Sequence, residues 1–232
     1  MRKTKIICTL GPAVDSEEKL LGLIEAGMNV ARLNFSHGDY EEQGNRIELF
    51  KKAREKSGYP VAMLLDTKGP EIRIGKFETG EAELKAGDTF TLLNEDIPGD
   101  NTKVSVTYKN LAEEVEIGTR ILINDGTIEV KVKEFKGKDV VVEVINGGKL
   151  SNRKSINIPN SKINLPSLTE KDISDIKFGV EKGFDYIAAS FVRKAEDVIN
   201  IKKVLAENGG SHIKVIAKIE NREGINNFDK IL

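Results

Sequence analysis

Two hydrophobic periodicities divide the chain. From Lys5 to Gly69, and again from Leu168 onward, short apolar runs alternate with segments whose apolar residues recur every three or four positions, the pattern of strands alternating with helices. "KIICTLGP" reads as a first strand and "DSEEKLLGLIEAG" as a helix, capped by Ser16 or Asp15 and stopped at Gly27. "MNVARLNFSHG" is a second strand, followed by a helix from about Tyr40 to Lys56 with Ile47, Phe50 and Ala53 at helical spacing. "VAMLLDTKG" is a third strand. After the interruption, "LTEKDISDIKFGVEKG" starts a helix at Thr169 with Asp172 in a variant capping box. "DYIAASFV" is a fourth strand, Ala195 to Glu207 a helix, and "IKVIAKIEN" a fifth strand.

The interruption, residues 71–165, has the other period. "TIEVKVKEF" sets Ile128, Val130 and Val132 against Glu129, Lys131 and Lys133, and "KDVVVEVI" continues the alternation beyond the turn at Lys136–Asp139. It reads as a small all-β, barrel-like domain inserted after strand three. The expected domains are therefore 1–70, the first part of an α/β domain, 71–165, the β-rich insert, and 166–232, the continuation.

Repeated strand–helix units suggest a doubly wound sheet or a (β/α)₈ barrel. Polar groups gather at all five strand ends, in "TLGP", "NFSHG", "DTKGPE", "ASFVR" and "KIEN". Five ends converging on one mouth favour a barrel, since a doubly wound sheet would use mainly two or three. About 137 residues remain without the insert, against roughly 250 for a complete barrel. The reading is a partial (β/α)₈ barrel with its first five strands, truncated after Leu232.

Composition narrows the partners. Lys plus Arg number 36 and Asp plus Glu 37, so no net field attracts nucleic acid or a membrane surface. No apolar stretch approaches the roughly 20 residues of a membrane span. The apolar run after "MRKTK" breaks at Gly11-Pro12, too early for a signal peptide, and the chain is read as cytoplasmic. One cysteine and two histidines make a structural zinc site improbable.

The candidate chemistry lies at the strand ends. Alternation in "ARLNFSHG" places Arg32, Asn34 and Ser36 on one face and Leu33 and Phe35 on the other. A solvated edge strand would also carry such a row, but the apolar neighbours argue for a central strand, where a guanidinium needs an anionic partner and suits phosphate or carboxylate. Asp66 and Thr67 end the third strand. With Asn34 and Ser36 they form an all-oxygen set suited to a hard cation, although Asp66 alone reads equally as a helix cap or as the salt-bridge partner of Arg32. Lys218 and Glu220 leave one face of the fifth strand, as a structural salt bridge or as a charge pair with the carboxylate on Mg²⁺. "NGGKLSN" lacks the flanking residues of a P-loop, and no "GxGxxG" is present.

Five motifs, "KTKIICTLGPA", "NVARLNFSHG", "LLDTKGPEIR", "LPSLTEKDISDIKFGVEKGFDYIAASFVRKAEDV" and "IAKIENREG", closely resemble the N-terminal half of bacterial pyruvate kinases, in register over the whole chain. The resemblance implies a barrel interrupted after its third strand by a β-rich lid that swings over the strand ends. It implies transfer of the phosphoryl group of phosphoenolpyruvate to ADP, giving pyruvate and ATP, in a cytoplasmic glycolytic enzyme that is a homotetramer at full length. Carried over by position, Asn34, Ser36, Asp66 and Thr67 would hold K⁺, and Glu220 would hold Mg²⁺ or Mn²⁺. Glu71 matches the residue type of K⁺-requiring members. Lys218, Arg32 and Arg73 would be catalytic, with Arg32 and Lys218 on the substrate. Asn34, Phe35, Ser36, His37, Arg73 and Lys154 would contact the ADP/ATP nucleotide. The family's later aspartate and threonine lie beyond Leu232, so the fragment is expected to have little activity alone and to self-associate. The alternative is a non-catalytic nucleotide-binding or interaction module. Another enolate-forming barrel would not need both "NFSHG" and "DTKGPEIR".

Overall fold

The computed structural model describes residues 3–159, 161 and 163–232. They divide into two compact units, Met1–Pro70 with Pro166–Leu232, and Glu71–Leu165. The first unit runs β1 (Ile7–Thr9), α1 (Glu17–Glu25), β2 (Val30–Asn34), α2 (Tyr40–Ser57), β3 (Ala62–Asp66), α3 (Glu170–Glu181), β4 (Tyr186–Ala189), α4 (Ala195–Glu207) and β5 (Lys214–Ala217). The strands pair in the order β1-β2-β3-β4-β5, all parallel. Order in space therefore equals order in the chain. A doubly wound sheet reverses at a switch point. This one winds a single way, as in a (β/α)₈ barrel, of which it forms a part.

Period-two alternation decides which face each strand shows. On β2 and just beyond it, Ala31, Leu33 and Phe35 are buried, while Arg32 and Asn34 on the opposite face are half-buried. The buried set joins Met63 and Leu65 of β3, Ile187 and Ala189 of β4, and helix residues such as Leu20, Ile47, Phe50, Ile176, Ile201 and Leu205 in one core. Helix ends obey local chemistry. Ser16 and Asp39 accept N–H groups at the starts of α1 and α2, and α2 ends at Gly58, whose φ of 68° suits a residue without Cβ. The capping box of Thr169 and Asp172 opens α3.

Two local details differ from the sequence pattern. β5 ends at Ala217, and Lys218 and Glu220 follow it, with the Lys218 N–H still donating to the Ala189 carbonyl at 3.0 Å and its carbonyl accepting the Val192 N–H at 3.2 Å. The apolar spacing Ile225, Phe228, Leu232 suggests one helix after Gly224, whereas the chain forms two short ones, Arg222–Asn226 and Phe228–Ile231. They break at Asn227, whose side-chain amide donates to the Arg193 carbonyl at 3.0 Å.

The second unit is β-rich. Its seven-stranded sheet runs Ile72–Arg73, Ser155–Asn157, Arg120–Ile123, Ile128–Lys136, Asp139–Asn146, Thr89–Leu93 and Lys103–Ser105. Its two ends meet: the Gly75 N–H donates to the Ser105 carbonyl at 2.8 Å and the Thr107 N–H to the Arg73 carbonyl at 2.9 Å. That contact makes the unit barrel-like and pairs its edges. Val130, Val132, Val140, Val142, Phe90 and Leu92 lie in a core of its own. No helix among the described residues is long and apolar enough to cross a membrane.

Candidate active site

Strand register brings the polar residues of the first unit together. Asn34 of β2 is opposite Asp66 of β3, and Asp66 is opposite Ala188 of β4. Asp66 is buried, and a buried carboxylate requires compensating charge and hydrogen bonds. It has both. Arg32 donates to Oδ2 through Nε at 2.7 Å and lies 2.5 Å away through its NH2 group. Lys218 Nζ donates to Oδ1 at 3.0 Å. The third guanidinium nitrogen of Arg32 donates to Thr9 Oγ1 at 2.6 Å. The fork carries five N–H donors, and among the described residues three of them are engaged by Asp66 and Thr9.

Lys218 Nζ is also 3.4 Å from Glu220 Oε1, and Glu220 Oε2 accepts the Phe191 N–H at 2.9 Å. That bond holds the carboxylate at the mouth, about one-third exposed. The site thus alternates cation and anion, Arg32, Asp66, Lys218 and Glu220, and is neutral in sum. The salt-bridge readings of Asp66 and of the Lys218–Glu220 pair both hold in this geometry.

Ser190, immediately after β4, closes the set. Its hydroxyl lies 2.6 Å from the Thr67 carbonyl, 3.3 Å from Asp66 Oδ1 and 2.9 Å from Lys218 Nζ. The Ser190 N–H donates to Thr67 Oγ1 at 3.2 Å. The turn after Thr67 needs Gly69, whose φ is 70° and where an added Cβ would fall 2.8 Å from the Ser190 Cβ. The Gly69 N–H donates to buried Asp172 Oδ1 at 2.9 Å, so the start of α3 fixes the tip of β3.

The loop after β2 is held in turn by its own side chains. Asn34 Oδ1 accepts the Ser36 N–H at 3.0 Å, and the amide of buried Gln43 donates to the Asn34 and His37 carbonyls. Phe35 packs its ring against Phe178 and Phe184 in the core, and its N–H donates to the Asp66 carbonyl at 3.0 Å. Its side chain is therefore turned away from the site, and His37 is exposed.

The barrel-domain model of pyruvate kinase matches residues 1–232. The chain belongs to the pyruvate kinase family. It is 52% identical to the pyruvate kinase of Geobacillus stearothermophilus over 233 residues, and 51% identical to that of Clostridium perfringens. Both matches take in all of this chain but 40% and 49% of those two proteins. The chain thus spans less than half the length of these curated pyruvate kinases.

Against the family expectation, Arg32, Asn34, Ser36, Asp66, Thr67, Lys218 and Glu220 all lie at the carboxyl ends of β2, β3 and β5. Arg73 and Lys154 lie in the β-rich unit. There Arg73 pairs with Glu71 and donates to the Arg153 carbonyl at 2.6 Å, and the Lys154 carbonyl accepts the Ile74 N–H at 2.9 Å. Asn34, Ser36, Asp66 and Thr67 each carry an oxygen that could ligate a hard monovalent cation. Glu220 offers a carboxylate at the mouth, which fits Mg²⁺ with further ligands from phosphate and water. Ser190 is the functional candidate that motif reading missed. A lone serine in "AASFVR" carries no signal by type, but counting by twos from Tyr186 and Ala188 places it on the inner face.

Proposed function

We propose that this chain carries the phosphoenolpyruvate- and cation-binding part of a pyruvate kinase that transfers phosphoryl to ADP in glycolysis, in the cytoplasm. The observation that carries the reading is Lys218, with Nζ 3.0 Å from Asp66 and 3.4 Å from Glu220 at the strand ends. In this reaction the bond between phosphorus and the enol oxygen breaks, and a β-phosphate oxygen of ADP bonds to phosphorus. The enolate left behind takes a proton on its methylene carbon to become pyruvate. Negative charge grows on the enol oxygen and spreads over the transferring group, and a fixed ammonium stabilises both. In this reading the Arg32 guanidinium also donates to a phosphate oxygen. Bound Mg²⁺ or Mn²⁺ would neutralise phosphate charge, with Glu220 as its carboxylate anchor. Asn34, Ser36, Asp66 and Thr67 hold K⁺ in this reading. The loop Asn34, Phe35, Ser36 and His37 contacts nucleotide in this reading, Phe35 through its backbone, and Arg73 and Lys154 are the nucleotide candidates of the β-rich unit. The full-length protein is a homotetramer.

The test is Lys218→Met in the full-length protein, assayed with phosphoenolpyruvate, ADP, Mg²⁺ and K⁺ with pyruvate as readout. Loss of one preorganised charge from the transition state lowers kcat by roughly 10²–10³-fold, with a far smaller change in KM for phosphoenolpyruvate. An unchanged kcat refutes the assignment. The second reading, a non-catalytic interaction module, draws on Ile7 and Ile216, 52% and 40% exposed on the sheet face that carries Arg32. On that reading the 232-residue chain self-associates and turns over little. Because this chain alone turns over little on either reading, the full-length assay above separates the two.

A further inference from the structure

A lysine ammonium sits on a flexible four-carbon stem, so its acceptors alone determine where its charge lies. Among the described residues Lys218 has three: Asp66 Oδ1 at 3.0 Å, Ser190 Oγ at 2.9 Å and Glu220 Oε1 at 3.4 Å. Both carboxylates have other claims on them. Asp66 is shared with Arg32, and Glu220 is the anchor proposed above for the divalent ion. Ser190 is the neutral acceptor, and the closest of the three.

A serine hydroxyl has one proton, and here two acceptors compete for it. The Thr67 carbonyl at 2.6 Å is favoured over Asp66 Oδ1 at 3.3 Å. With the proton committed to Thr67, an oxygen lone pair is left for the Lys218 ammonium. The residue itself is fixed. It is 8% exposed, its N–H donates to Thr67 Oγ1, and the open side of Gly69 lies against its Cβ.

From this we infer that Ser190 is a positioning residue: it holds the Lys218 ammonium in register with the tip of β3, so that the ammonium stays in place when the carboxylates are engaged by ligands. The effect on turnover rests on the role of Lys218 proposed above. The effect on the ammonium does not.

Two measurements test it. The first uses this chain labelled with ¹⁵N-lysine, where ammonium groups held in hydrogen bonds exchange slowly enough to give ¹H–¹⁵N cross-peaks. Lys218→Arg assigns one peak. The ammonium of Lys171, held by Asp175 Oδ1 and Oδ2 at 2.9 and 2.8 Å, is the internal control. Ser190→Ala is expected to broaden the Lys218 peak beyond detection and leave that of Lys171 intact. Persistence of the Lys218 peak, or loss of both, overturns the proposal. The second is turnover of the full-length protein. There Ser190→Ala lowers kcat about 10- to 100-fold, the scale of one hydrogen bond to a charged group, with KM for ADP little changed. An unchanged kcat with an active parent also overturns it. A parent inactive towards phosphoenolpyruvate and ADP would refute the pyruvate kinase reading and leave the cross-peak result to decide the role of Ser190.

Discussion

Asp66→Asn isolates the charge at the centre of the site, because asparagine keeps the size and one acceptor oxygen. Asp66 meets Arg32 Nε at 2.7 Å and Lys218 Nζ at 3.0 Å. At an effective dielectric of about 20 these contacts correspond to roughly 6 and 5.5 kcal/mol of attraction. Desolvation of the carboxylate offsets much of that sum. Removing one partner from a buried pair typically destabilises by about 3–5 kcal/mol, since the remaining charge is left uncompensated. Arg32 and Lys218 are each 30% exposed in their side chains, so water relieves part of the strain. The expected loss is therefore at the lower end, about 3 kcal/mol. Urea unfolding followed by far-UV circular dichroism measures it, and hydrogen exchange of peptides from β2 and β3 locates it. A loss below about 1 kcal/mol, the range of exposed ion pairs, would refute the view that the carboxylate organises these strand ends.

Gly69→Ala combines a left-handed φ with a Cβ 2.8 Å from that of Ser190. It should destabilise by about 1–3 kcal/mol in the same urea measurement, whereas Gly80→Ala, left-handed but with open space, should lose less. The Tyr40 hydroxyl has its pKa pushed up to about 12, first by burial and then by donation to Asp175. A folded-state pKa above the unfolded value contributes stability below about pH 10 that is lost as pH rises towards 12. Melting temperatures across that range should fall more steeply for the parent than for Tyr40→Phe. Residues 71–165 expressed alone should melt cooperatively with dispersed amide shifts, because the unit has its own core and paired sheet edges. A disordered spectrum would show that the fold depends on the remainder of the chain.

The fold was legible where one period held over a whole element. Tyr40–Ser57 follows from the helical spacing of Ile47, Phe50 and Ala53, and the long hairpin Ile128–Lys136 with Asp139–Asn146 follows from alternation. The site was legible where charge sat at a strand end, as with Arg32, Asp66 and Lys218. What stayed hidden depends on pairing between distant segments. The link from Thr67 to Ser190 spans 123 residues, and the link from Gly69 to Asp172 spans 103. Phe35 shows the complementary limit: it lies in a functional motif, but its parity assigns the ring to the core.

The strict alternation at Ala31–Phe35 also bears on how this chain tolerates change. Ala31, Leu33 and Phe35 are selected by the helices behind them, whereas Arg32 and Asn34 answer to whatever occupies the mouth. In a saturation library scored separately for soluble expression and for function, the two phenotypes should fall on alternate positions of one short stretch. A single-residue deletion there would be worse than any one substitution. It would turn a guanidinium towards the apolar core and a leucine towards the polar face of the strand, exchanging the two kinds of constraint at every position that follows in the strand.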